Sequence, residues 1–322
     1  MPIFGKPFLE ECSKKYNTEP VDEEQLDLTG RILVPALGEI ERELGDLRKS
    51  FDARILYTLE DSASDHARFA RDPLYAKHVN NPFIRSPSKY PVGYCMDITN
   101  GVWDDVSLQL KKPNTPGMSA LKTFVSNGGI LKKIAGIQHK KYFQNGMQAG
   151  SLWVDVANNT VDKDYPPINI CGLSDSGFEN VDDIASYSDV VESYWGDSVY
   201  PNRVFPSIAH LFPVVRILQS GMLRVEDFND SIFATNILSG FQLAEDFIFK
   251  SRFAGRRLPM PYKRLIEDMF YRGSSIRLTD TDDTLMRDVF RSVRSLDPDD
   301  LDISISDGLN TMEYINDIVI SV

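Results

Sequence analysis

Tyr90-Pro91-Val92-Gly93-Tyr94-Cys95-Met96-Asp97-Ile98-Thr99 is the stretch on which the reading of the fold turns. Pro91 and Gly93 break the chain into a loop, and a helix follows from near Gly93. Cys95, Ile98, Val102 and Val106 recur on one helical stripe, which buries the helix and holds a thiol in its first turn. A helix start offers unpaired N–H groups and a partial positive charge, and both favour a thiolate.

Outward from this helix, Pro116 to Ser126 predicts a second helix, stopped by Gly128-Gly129. Ile130 to Tyr142 and Ser151 to Val156 read as strands joined by the turn-rich segment 144–150, and 168–171 is a third strand. His139 lies on the first strand and Asp155 on the second. Two registers are open. A hairpin centred on Met147 sets His139 opposite Asp155, on one face. A tight turn at Asn145-Gly146 sets His139 opposite Leu152 and turns Asp155 away. The first is preferred only because it unites the pair.

Upstream, residues 1–20 form a lead-in. Apolar residues from Asp22 to about Phe51 recur at helical spacing, Ser62 to Ala76 reads as helix, and Asn80 to Pro91 as a connecting loop. Beyond Asn180 the pattern predicts helices over 180–194, 207–223, 229–250, 261–271, 281–295 and 309–320. The expected architecture is α+β. A helical lead-in (1–85) precedes a core with a Cys-bearing helix on a small antiparallel sheet (86–178), and a largely helical region (179–322) follows.

A cysteine thiol titrates near 8.5, so at neutral pH it needs help to ionise. An imidazole completes an ion pair and later protonates the leaving group, and a carboxylate orients the imidazole. Cys95, His139 and Asp155 fit these roles, with Asp97 and Asp162 as substitutes for the carboxylate. The backbone N–H of Cys95 is one oxyanion donor, and Asn80 or Asn81 are candidates for a second. The structural alternative is that Cys95 is simply core, since cysteine is among the most buried residue types.

The Gly93-Tyr94-Cys95 helix entry, His139, and the Gly150-Ser151-Leu152-Trp153-Val154-Asp155 strand together resemble the transglutaminase-like branch of the papain-like fold. The resemblance covers about residues 88–175. It lacks the Arg-Gly-Gly-x-Cys entry of arylamine acetyltransferases and the acidic calcium pattern of animal transglutaminases. It implies an acyl-enzyme at Cys95, with His139 as base then acid and Asp155 orienting it. An amine acceptor gives amide-forming acyl transfer, the favoured outcome; water gives a peptidase, amidase or deamidase. Tyr94, Trp153 and Tyr142 are near the triad in sequence and are expected to wall the substrate pocket. The acyl donor is a small molecule, a peptide or a carrier-bound group.

Other signals are weaker. Cys171 with His210 offers a second pair, but both lie in apolar runs and read as core; Cys12 reads as a surface thiol. His66 and His78 lack zinc spacing, and Asp297 to Asp302 lacks the positions of a calcium loop and reads as solvated loop. Asp280-Thr281-Asp282-Asp283 reads as a helix cap. No metal or cofactor is expected, and no Gly-rich phosphate loop occurs. The net charge of -12 argues against nucleic acid or an anionic membrane as partner. No apolar run reaches membrane-spanning length. Three scattered cysteines and an N-terminus without signal-peptide character suggest a reducing, cytoplasmic setting. A contrasting reading is a non-catalytic protein whose helical halves form an oligomer or a partner-binding surface.

Overall fold

A computed structural model describes residues 4–69, 89–271, 283–318 and 320–321. The protein is α+β and divides into two units. One comprises residues 16–180; the other joins the first fifteen residues to residues 181–322. Most of the expected lead-in therefore folds with the sheet, and its first fifteen residues belong with the C-terminal region.

In the first unit, α2 (Glu23–Leu28) is capped by Asp22, whose carboxylate accepts from Gln25 N–H. A π-helical turn and a 3-10 turn at Val34–Ala36 lead into the long α3 (Leu37–Phe69). The single helix expected over 22–51 is thus interrupted, because Pro35 has no N–H to continue the ladder. The helix expected from Ser62 is the end of α3, while residues 70–76 and the loop from Asn80 to Ser88 lie outside the described residues. Next come α4 (Cys95–Lys111) and α5 (Pro116–Ser126), as the apolar spacing predicts; α5 ends before Gly128, whose φ is +93°.

The sheet comprises β1 (Leu131–Gln138), β2 (Tyr142–Ala149), β3 (Leu152–Asp155), β4 (Asn169–Gly172) and β5 (Phe178–Glu179), in the order β4-β3-β2-β1-β5, with antiparallel pairing throughout. Segment 144–150, expected to be a turn, is mostly strand. The first turn falls instead at His139-Lys140, both at positive φ and closed by Lys141 N–H to Gln138 C=O at 3.1 Å. Paired positive φ values are what a type I′ turn needs. The second turn is at Gly150, with φ +59°. Neither register weighed from the sequence is the one formed, because both placed the turn inside β2.

Alternation fixes the two faces of this sheet. Val154 pairs with Met147, and their face carries Ala149, Leu152 and Ile170 into the core built by Ile98, Val102 and Val106 of α4, Leu44 of α3 and Phe124 of α5. The opposite face carries Trp153, Gln148, Gln144 and Asp155. There Trp153 stacks on Phe178, with ring centroids 4.8 Å apart.

The second unit begins with α1 (Lys6–Lys14) and contains α6 (Ile184–Val190), α7 (Asp230–Leu238), α8 (Gln242–Phe249), α9 (Met260–Phe270), α10 (Asp283–Arg294) and α11 (Pro298–Asp317). It also holds a four-stranded sheet that the sequence reading did not expect, β7 lying wholly within an expected helix: β6 (Ser198–Pro201), β7 (Val214–Ile217), β8 (Met222–Val225) and β9 (Ile320–Ser321). The helix expected over 207–223 is broken by Pro213 and Gly221, and its β-branched run pairs as strand. The helix expected over 229–250 divides at Gly240, with φ +62°. Asp297, expected in a solvated loop, caps α11 by accepting from Asp299 and Asp300 N–H at 3.0 and 2.9 Å, with Pro298 at the first helical position. Of the acidic run 280–283, only Asp283 lies among the described residues; it opens α10 and pairs with Arg203.

Candidate functional site

Two buried polar devices position the start of α4. Arg48 of α3 is 1% exposed and donates to Asp52 (2.6 Å), to the Val156 carbonyl (2.6 Å) and to Asn159 Oδ1 (3.1 Å). Asp52 also accepts from the Tyr90 hydroxyl, and Tyr90 packs edge-on against Tyr94. The turn after β3 holds the other side, since Gly93 N–H donates to the Thr160 carbonyl at 3.1 Å. Gly93, with φ +80°, supplies the left-handed residue that brings the loop into the helix.

Cys95 is half-buried at the first position of α4. Its sulfur accepts from Asn145 Nδ2 at 3.3 Å. Burial pushes the thiol up from its ordinary value. The Asn145 amide and the backbone N–H groups of Met96 and Asn145 pull it down, and the Asp155 charge adds to the rise. The net direction is upward, so desolvation outweighs the donors. On the far side of Asn145, Thr99 Oγ1 donates to its carbonyl at 3.0 Å, tying α4 to β2.

His139 is not at the sulfur. It occupies the exposed β1–β2 turn, four residues beyond Ala135, the cross-strand partner of Asn145. At about 3.3 Å per residue that is ~13 Å along the strand. Its N–H donates to the Gly177 carbonyl at 2.8 Å, and its ring lies on Gly177, where a Cβ would overlap it, and edge-on to Tyr142. Asp155 does not orient this ring either. It is 0% exposed, accepts from Gln144 Nε2 at 2.8 Å and Ala157 N–H at 2.7 Å, and lies on the sheet face opposite Asn145. Burial raises its carboxyl to about 7, against the lowering influence of those two donors and of Arg48.

The residues expected to wall a pocket are placed differently from one another. Tyr94 is 4% exposed and belongs to the core behind α4. Trp153 is fully buried beneath Phe178, its ring lying on Gly146. Tyr142 is half-buried at the start of β2, its hydroxyl raised by burial and by the charges of Tyr165 and Asp155. Of the substitutes, Asp97 lies in the first turn of α4 and Asp162 accepts from Asp164 N–H on an exposed loop. Asn80, Asn81 and His78 lie outside the described residues, and His66 is on α3. Cys171 is half-buried on β4, and His210 is buried in the other unit, edge-on to Phe241 at 5.0 Å.

Asn145 and Arg48 are the residues that sequence reasoning missed. The signal for Asn145 was period-two alternation through Phe143, Asn145, Met147 and Ala149, masked by Asn145-Gly146 reading as a turn. Gly146 is in fact the place where a strand must leave room for the Trp153 ring. Among the described residues, no group of three or more His, Cys, Asp or Glu side chains is arranged to hold a metal ion, and no helix is long and apolar enough to cross a membrane. No family, characterised protein or solved structure matches the chain.

Proposed function

We propose that this chain is a non-catalytic binding or assembly protein, in which the Cys95 region is a structural joint between α4 and β2. The observation that carries this reading is the Asn145 amide against the Cys95 sulfur at 3.3 Å. A side-chain amide donates a hydrogen bond but takes no proton at neutral pH, so it cannot serve as general base. Burial raises the thiol, the opposite of the tuning a nucleophile needs. Arg48, Asp52 and Asn159 are spent in tying loops together, which fits a joint that must be rigid.

A second reading keeps the thiol-dependent acyl chemistry of the transglutaminase-like resemblance, favoured by one feature. The helix start directs the Met96 N–H, and β2 directs the Asn145 Nδ2 and N–H, at the sulfur, donors that would stabilise a thiolate or an acyl oxygen. The thiolate would attack an acyl carbonyl and expel the leaving group. An amine, or water in the hydrolytic version, would then release the acyl group from sulfur.

Iodoacetamide labelling of the full chain from pH 6 to 10, with Cys95→Ser as control, separates the readings. A structural joint predicts that Cys95 labels more slowly than Cys12 at pH 7 and accelerates only above pH 8.5, the ordinary thiol range. Fast labelling of Cys95 below pH 7, with an acyl adduct in intact-mass spectra after exposure to thioesters, would overturn it.

A further inference from the structure

Asp155 is a fully buried carboxylate without a counter-charge of its own. Both groups bonded to it are neutral N–H donors, Gln144 Nε2 and Ala157 N–H. The nearest guanidinium, Arg48, is already committed to Asp52, Asn159 and the Val156 carbonyl. Such a carboxylate relieves its desolvation by taking up a proton. Beside it, Gln144 Oε1 is buried and has no hydrogen-bond partner, while Gln144 Nε2 bonds both Asp155 Oδ2 and, at 3.3 Å, the Ala157 carbonyl.

We infer that Asp155 and Gln144 form a proton-responsive latch on the turn that follows β3. With Asp155 ionised, Gln144 Nε2 staples the Asp155 carboxylate and the Ala157 carbonyl to β2. With a proton taken from solvent onto Asp155 Oδ2, the Gln144 amide turns over, Oε1 accepts the new O–H, and the bond to Ala157 is released. The Ala157 carbonyl keeps its bonds from Thr160 N–H (3.0 Å) and Oγ1 (2.7 Å), so the exchange strands no carbonyl. The same turn reaches α4, because the Thr160 carbonyl accepts from Gly93 N–H, two residues before Cys95.

The charged and titratable groups around Asp155 come from each element packed on it. Arg48 from α3 opposes protonation; the Cys95 thiol from α4, Tyr142 on β2 and Cys171 on β4 each feel the Asp155 charge. Burial places the Asp155 titration at about 7, within the range a cell can vary.

The direct test follows the Asp155 carboxyl carbon of the full-length chain by NMR, assigned through bonds to its own backbone, while the pH runs from 4 to 9. A midpoint between about pH 6 and 8, with Gly93 and Thr160 amides less protected relative to their intrinsic exchange on the acid side, is the expected result. A midpoint below pH 5, or protection of those amides indifferent to the titration, overturns the latch. Denaturation of the Asp155→Asn chain provides a second measurement. The folded state holds a proton that the unfolded chain gives up near 4, so Asp155 contributes a fall in stability of about ten-fold per pH unit between about pH 5 and 7, read as the difference in slope between wild type and variant. The variant should lose that contribution, so that its stability rises relative to wild type by about ten-fold per pH unit across the window. If the variant does not fold, the wild-type carbon titration decides alone.

Discussion

Glu43 shows how one buried side chain can govern a whole helix. It projects from α3, is 6% exposed, and accepts from Gly117 N–H and Met118 N–H at 2.9 Å each and from Thr115 Oγ1 at 2.5 Å. The two N–H groups are orphan donors of the first turn of α5, and Thr115 itself makes no side-chain cap. Replacing Glu43 by Ala strands two buried N–H groups that now bond to a charged acceptor, at ~1.5–3 kcal/mol each. It also removes a negative charge from a helix N-terminus, worth up to ~2 kcal/mol in a partly buried geometry. Water entering the vacated space recovers part of this, so a net loss of about 3–5 kcal/mol is expected. Glu43→Gln keeps one acceptor but turns an NH2 toward the second donor, and should lose about 2–3 kcal/mol by the same reasoning. Urea denaturation measures both through the midpoint at constant slope, and hydrogen exchange at Gly117 and Met118 should accelerate in parallel. An Ala variant within 1 kcal/mol of wild type, with those two amides still protected, would refute the capping role.

Arg48→Met removes a guanidinium that holds Asp52, Val156 and Asn159, and should destabilise the chain by ~3–5 kcal/mol because Asp52 loses its partner; thermal unfolding checks this, and Cys95 should label faster as its loop loosens. Gly146→Ala sets a Cβ into the Trp153 ring and should lose about 1–3 kcal/mol by overpacking, seen as a shifted denaturation midpoint and altered Trp fluorescence. His210 is 1% exposed with neither ring nitrogen partnered, and burial lowers its titration from 6.5 to about 4. The unfolded chain therefore binds the extra proton between those values, so the His210 contribution to stability rises with pH across that window by ~3 kcal/mol and is level above it, opposing the Asp155 contribution. His210→Phe should remove that contribution, seen as a difference in slope between variant and wild type in a pH series of denaturation midpoints, and identical slopes would refute it.

The local chemistry of α4 and α5 was legible because both are amphipathic with clear stops. Ile98, Val102 and Val106 share a stripe, and Gly128 supplies the left-handed exit that ends α5. The second sheet was not legible. Val214, Val215 and Ile217 read as an apolar helix face until Pro213 and the pairing with β6 and β8 fix them as strand. Short apolar runs satisfy either period, and only the neighbours choose.

The candidate site divides in the same way. That a thiol would stand at the start of a buried helix followed from Pro91, Gly93 and the stripe after Cys95. What meets that thiol was decided by register. Moving the hairpin turn to His139-Lys140 carries Asn145 onto the α4 face, leaves Asp155 on the opposite face and strands His139 at the edge. Side chains alternate with a period of two, so where a turn falls assigns every residue to a face. That choice is made by packing across the sheet, by Trp153 over Gly146 on the neighbouring strand and by the Arg48 bond to the Val156 turn, which joins residues far apart in the chain.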